Sequence, residues 1–185
     1  MKILATDYDG TLNHGGIDKE KCDAIKKWQE NGNLFGIVSG RSLEGLKMLI
    51  SGKENPKNLV KTGKTQSYSC DFLIANNGAV ICDGKMNVLT QTKCKTDIIE
   101  PLIKVLFDLN CPLACVCGST FDDTYIKPDK EHCETDEFTL ENMPSFPFFN
   151  QISTILDTDE DQSNFESLLR NSPGNCANRH DEPQR

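Results

Sequence analysis

Apolar and amphipathic stretches alternate along the first eighty residues. Residues 2–6 read as a short buried strand that runs into Asp7 and Asp9. Gly15 and Gly16 mark a turn, and Asp18 then caps a helix reaching Glu30, with Cys22, Ile25 and Trp28 on one face and Gly32 past its end. Residues 34–38 form the next apolar run and stop at Ser39-Gly40-Arg41. A second helix follows, with Leu43, Leu46, Leu49 and Ile50 facing inward. Residues 51–69 are polar and lysine-rich, a loop or broken helix. Residues 72–75 form a third apolar run, which Asn76-Asn77-Gly78 breaks. Strand, helix, strand, helix, strand predicts a parallel sheet with right-handed crossovers. Ligands of such sheets gather beyond the carboxyl ends of the strands. All three polar interruptions, at 7–9, 39–41 and 76–78, fall there.

After Ala79 the pattern changes. Residues 80–82 and 86–90 flank Asp83-Gly84 and predict a hairpin. Thr96-Asp97 opens a helix carrying Ile99, Leu102, Ile103 and Leu106. Residues 112–117, 124–126 and 151–156 read as strands, and residues 158–170 as a helix with Phe165, Leu168 and Leu169, ended by Pro173-Gly174. Residues 127–149 read as irregular, and the tail from Asn175 has almost no apolar content. There is no internal repeat.

Composition narrows the function classes. The chain has 185 residues and a net charge of -8, with no basic face to neutralise a nucleic-acid backbone. No apolar run approaches the roughly 20 residues that span a bilayer, and the start is too short for a signal peptide. The expected location is the cytoplasm. Nine cysteines, an odd number without a disulfide framework, read as reduced and packed. Cys111, Cys115 and Cys117, with His132-Cys133, lack the C-x2-C pairs of common zinc folds, so packing is the better reading.

The chemistry concentrates in Asp7-Tyr8-Asp9-Gly10-Thr11-Leu12. Residues i and i+2 of an extended chain point the same way, so two carboxylates at a strand end share one space. Their repulsion is removed by a divalent cation, and hard oxygen ligands favour magnesium. Gly10 permits close backbone approach to a ligand, and the N–H groups from Tyr8 to Thr11 offer an anion site. Acid, acid, glycine and metal suit phosphoryl transfer, with one carboxylate attacking phosphorus and the other handling a proton. Taken singly, the pieces have plainer readings. Ser39-Gly40 also fits a helix cap with a turn glycine, Asn76-Asn77-Gly78 a simple turn, and His14 a solvated loop side chain. Arg41 either binds substrate or pairs with a nearby carboxylate such as Asp7. The acidic run at Asp157, Asp159, Glu160 and Asp161 suits a helix N-terminus.

The ordered set resembles the haloacid dehalogenase superfamily, whose first motif, Asp-x-Asp-Gly-Thr-Leu/Val, is matched by residues 7–12. The resemblance implies an α/β, Rossmann-like core and makes Asp7 the nucleophile that forms an aspartyl-phosphate. Asp9 becomes the general acid/base, and both residues become Mg²⁺ ligands. The strand ending in Ser39 matches the second motif, so Ser39 would bond the phosphoryl group. Ser39-Gly40-Arg41 and residues 75–79 resemble the Cof-type branch, which includes sugar-phosphate phosphatases and inserts an α/β cap after the third strand. Gly10, Ser39, Gly40, Arg41 and Asn77 are therefore the expected phosphate- and substrate-binding residues. Residues 1–82 are the expected core and 83–185 the cap. The expected partner is a small phosphorylated metabolite.

The family's later motifs, a lysine and a Gly-Asp string, are not matched. This implies an incomplete core, weak magnesium binding, and apolar surface left open around Leu4, Ile37 and Leu73. A truncated product is the preferred explanation. Completion of the sheet by a partner or second copy, and a catalytically inactive phosphate-binding or assembly module, are the alternatives.

Overall fold

Parallel pairing of the first three apolar runs sets the architecture. The computed structural model describes residues 1–52, 66–108, 113–127, 147–156 and 158–171. Strand β1 (Ile3–Asp7) leads through helix α1 (Lys19–Glu30) to β2 (Leu34–Val38), and helix α2 (Leu43–Ile50) precedes β3 (Phe72–Ala75). The pairs β1–β2 and β2–β3 are parallel, with Asp7 opposite Val38 and Leu73 opposite Ile37. A 3-10 turn (Asn76–Gly78) reverses the chain into the antiparallel strands β4 (Val80–Asp83) and β5 (Val88–Gln91). The order is β1-β2-β3-β4-β5. The hairpin therefore extends the first sheet to Gln91, past the expected core boundary at residue 82.

Local chemistry explains the element ends. The Asp18 side chain accepts from the Lys21 N–H at the start of α1, and Gly32 beyond its end has φ +72°. Ser42 caps α2 by accepting from the Gly45 N–H. Phe35, Ile37 and Leu73 interlock with Ile25, Leu43, Leu46 and Leu49 to form one core. Successive right-handed crossovers in one direction place α1 and α2 on that face.

The second unit is a three-stranded antiparallel sheet in the order β7-β6-β8, built from β6 (Leu113–Gly118), β7 (Asp123–Lys127) and β8 (Phe149–Ile155). Helices α3 (Thr96–Asp108) and α4 (Asp159–Asn171) pack on it, and Ile99, Leu102, Ile103, Leu106, Ala114, Val116 and Phe149 fill its own core. At α4, the Thr158 hydroxyl oxygen accepts from the Asp161 N–H. Residues 53–65 of the expected polar loop, residues 128–146 of the expected irregular segment, and Cys111, His132 and Cys133 lie outside the described residues.

Two expectations need correction. Strand β1 is not buried: it is an edge strand, and Ile3 and Leu4 are 64% and 44% exposed. The open apolar surface does not include Ile37 or Leu73, which are fully buried. It comprises Ile3, Leu4 and Val38 instead, because among the described residues no strand pairs with the outer side of β1, and Val38 lies on the face away from α1 and α2. A parallel sheet normally has both faces covered.

These burials predict a contrast in stability. Leu73→Ala should cost about 2–5 kcal/mol by leaving a cavity, whereas Leu4→Ala should cost under about 1 kcal/mol. Urea denaturation measures both, and equal losses would mean that the β1 face is covered.

Candidate active site at the sheet rim

The chain curls tightly where β1 ends. The Leu12 N–H donates to the Asp7 carbonyl at 3.2 Å, the Asn13 N–H to the Tyr8 carbonyl at 2.8 Å, and the Gly10 N–H to the Asn13 carbonyl at 3.2 Å. Gly10 has φ +74°, and a Cβ there would meet nothing within 4 Å. Backbone conformation, rather than space, requires glycine at this position. The Gly10 N–H is consumed by the loop, unlike the open anion donor expected there. Those of Asp9 and Thr11 donate to no protein group among the described residues. The Asp7 carboxylate accepts one hydrogen bond, from the Thr11 hydroxyl at 3.2 Å.

The three interruptions meet, and hydrogen bonds hold them together. Arg41 grips Asp9 with two prongs, Nε to Oδ2 at 2.7 Å and a terminal guanidinium nitrogen to Oδ1 at 2.8 Å. Its guanidinium also lies 5.8 Å from the centre of the Tyr8 ring. Of the two roles open to Arg41, carboxylate pairing is therefore seen, with Asp9 rather than Asp7. The Arg41 side chain is 16% exposed, and Asp9 beside it raises the guanidinium pKa against the opposing effect of burial. The second and third interruptions are joined through the backbone. The Asn76 N–H donates to the Arg41 carbonyl at 2.8 Å, and the Asn77 N–H to the Ser39 carbonyl at 3.2 Å. Gly40 is demanded here by proximity, since a Cβ would approach the Asn77 side-chain oxygen to 2.9 Å. Ser39 is buried and its hydroxyl oxygen accepts from the Arg41 N–H at 3.2 Å.

Asn76 and Asn77 both adopt left-handed backbone, with φ of 53° and 52°. Such conformations cost about 1–3 kcal/mol each and persist where the surroundings fix them. The two backbone bonds to Ser39 and Arg41 do so here.

The second unit sits against this rim, and sequence reasoning missed the residues involved. Ser42 Oγ donates to Asp123 Oδ2 at 2.9 Å, Gln151 Nε2 donates to the Gly40 carbonyl at 3.2 Å, and the Glu44 N–H donates to the Phe121 carbonyl at 3.1 Å. Ser42 carried a legible cap signal, a serine just before an apolar helix. Asp123 and Gln151 carried none, because their partners lie 81 and 111 residues away. Among the described residues no group of three or more His, Cys, Asp or Glu side chains is placed to hold a metal ion.

Cysteine chemistry has no part in the rim. Burial pushes the Cys117 thiol up to about 12, and the Cys70 thiol likewise to about 12. A thiol with a raised pKa stays neutral below that value and is a poor nucleophile. Iodoacetamide at about pH 8 should therefore leave Cys70 and Cys117 unlabelled in the folded protein and modify both in urea, as read by peptide mass spectrometry.

Comparison with known proteins identifies the family. The model of the haloacid dehalogenase-like hydrolases matches residues 4–180. An uncharacterised protein of Mycoplasma capricolum is 31% identical over 111 residues, which is 57% of this chain and 37% of that protein. The phosphatase BT1666 from Bacteroides thetaiotaomicron superposes with a TM-score of 0.61 at 20% identity, over 91% of this chain and 60% of its own. The subclass IIB sugar phosphatase BT4131 gives a TM-score of 0.61 at 16% identity, over 90% of this chain and 63% of its own. The chain thus spans less than two thirds of the length of each. With its α/β architecture, Asp-x-Asp-Gly-Thr strand end and family match over nearly its whole length, the chain belongs to the haloacid dehalogenase-like hydrolases.

Proposed function

We propose that the rim hydrolyses small phosphorylated metabolites, of the sugar-phosphate kind, through an aspartyl-phosphate on Asp7. One observation carries this reading: three separate strand ends are tied into one surface by the Arg41–Asp9 fork and the backbone bonds of Asn76 and Asn77. Asp7 is exposed and only lightly hydrogen-bonded, which suits a nucleophile. Its carboxylate attacks phosphorus and the alcohol oxygen leaves, taking a proton that Asp9 carries only after the Arg41 fork on its two oxygens has opened and Asp9 has picked up that proton from solvent. Water then cleaves the acyl phosphate, with Asp9 accepting the proton. Ser39 and the free N–H groups of Asp9 and Thr11 offer hydrogen bonds to the phosphoryl oxygens, next to Gly10, Gly40 and Asn77. In the resting arrangement Arg41 holds Asp9 in place. Binding the phosphate, its other expected role, requires the fork to release the carboxylate. The subclass IIB sugar phosphatase among the structural neighbours supports the substrate class.

Magnesium is the cofactor of this reading. The groups available fit a hard cation, because Asp7 offers carboxylate oxygen and the Asp9 carbonyl accepts no hydrogen bond among the described residues. The ion, when bound, neutralises charge on the phosphoryl oxygens. The Asp9 side chain is engaged by Arg41, so its carbonyl is the better donor. With so few protein ligands, affinity is weak. No described helix is long and apolar enough to cross a membrane, and cytoplasmic placement belongs to the same proposal.

Purified protein should hydrolyse p-nitrophenyl phosphate when Mg²⁺ is added, and EDTA should abolish turnover. Asp7→Asn should lower kcat by about a thousandfold or more. Hydrolysis that survives Asp7→Asn removes the nucleophile assignment, and phosphate binding without turnover favours the inactive-module alternative.

The exposed Ile3 and Leu4 on the free β1 edge favour self-association as a second element of this reading. Light scattering should show a mass above the 20.6 kDa of one chain, rising with concentration, and Leu4→Lys should reverse it. A constant single-chain mass refutes it.

A further inference from the structure

The second unit meets the rim along a seam that leaves polar atoms without partners. Asn76 is 1% exposed, and neither its Oδ1 nor its Nδ2 has a hydrogen-bond partner. Gln151 Oε1 is likewise buried and unpartnered, although its Nε2 reaches the Gly40 carbonyl. The Asn76 amide lies beside the Cys117 thiol of β6, a weak partner at best. Buried carboxamides without partners are rare in folded proteins, and each invites an explanation. Nothing in phosphate capture uses these three atoms. They flank the loop that carries Ser39 and Arg41, Asn76 through its N–H bond to the Arg41 carbonyl and Gln151 through its bond to the Gly40 carbonyl.

We propose that Asn76 and Gln151 determine specificity for the leaving group, and that with Asp123 they select a neutral or cationic hydroxylated group over an anionic one. The proposal rests on the phosphatase reading above and specifies which esters it takes. A carboxamide presents both a donor and an acceptor, which is the complement of a sugar hydroxyl. Asp123 pairs opposite Cys117 in the β6–β7 ladder, so both side chains occupy the sheet face that meets Asn76. Its carboxylate, held by the Ser42 hydroxyl, faces the end of the loop and acts on Arg41 across the seam. A second negative group on the substrate would meet that carboxylate, whereas an ammonium would be attracted to it. Contacts closing the seam among the described residues include the hydrogen bonds that Gln151, Ser42 and Glu44 donate to Gly40, Asp123 and Phe121, and the packing of Phe121 against the first core. When it parts, the two amides become open to substrate hydroxyls, so ligand entry and seam opening reinforce each other.

The test is calorimetry with Mg²⁺ in the Asp7→Asn protein, which leaves esters uncleaved. Glucose 6-phosphate, glucosamine 6-phosphate, 6-phosphogluconate and inorganic phosphate are the probes. Glucose 6-phosphate should bind about tenfold tighter than 6-phosphogluconate, with glucosamine 6-phosphate equal or tighter still. Gln151→Ala should reduce the preference for glucose 6-phosphate over inorganic phosphate by about tenfold, and Asp123→Asn should narrow the gap between the neutral and anionic esters. In wild-type protein, the side-chain amide NMR signals of Asn76 and Gln151 should shift with glucose 6-phosphate and not with inorganic phosphate. Equal or tighter binding of 6-phosphogluconate, an unchanged preference in Gln151→Ala, or failure of all three esters to bind overturns the proposal. The predicted binding order without p-nitrophenyl phosphate turnover in wild-type protein upholds the proposal and refutes the catalytic reading alone.

Discussion

The bidentate contact from Arg41 to Asp9 ties the loop after β1 to the loop after β2, and the rest of the rim is arranged around it. A guanidinium that is mostly buried needs a carboxylate, since an unpaired charge in that position would be heavily penalised. Once Arg41 is fixed, its carbonyl accepts from Asn76, which helps hold two successive asparagines in left-handed backbone. Gly40, next to it, accepts Gln151 and lets Asn77 approach. One charge pair thus links motif geometry, turn strain and the seating of the second unit.

The same sheet is closed on one side and open on the other. Phe35, Ile37 and Leu73 are sealed beneath α1 and α2, so the first three strands have a genuine core. The outer edge of β1 and the face bearing Ile3 and Val38 are bare. That asymmetry places the candidate nucleophile on an edge strand of the sheet. A strand with one neighbour and few buried side chains sits at the low end of local stability. Any activity of Asp7 therefore depends on whatever fixes β1, including the loop bonds of Leu12 and Asn13.

The seam between the units combines polar contacts with the packing of Phe121 against the first core. Three hydrogen bonds cross it to the loop at Gly40–Glu44, while Asn76 and Gln151 keep atoms unpaired inside it.

The sequence by itself determined most of the elements and which residues stand at the strand ends that form the rim. Short apolar runs marked β1 to β3 and period-3.6 apolar spacing marked both helices between them, because such patterns are local in the chain. Asp7, Asp9, Ser39 and Asn77 were found because strand-end breaks and a compact motif are contiguous in the chain. Only tertiary structure decided which carboxylate Arg41 would grip, since Asp7 and Asp9 are equivalent choices at a distance of some thirty residues. It alone showed β1 as an exposed edge, because an apolar run reads the same whether or not a neighbour covers it. It alone brought Asp123 and Gln151 to the rim, since hydrogen bonds between distant segments follow from how two units pack and leave no periodic trace.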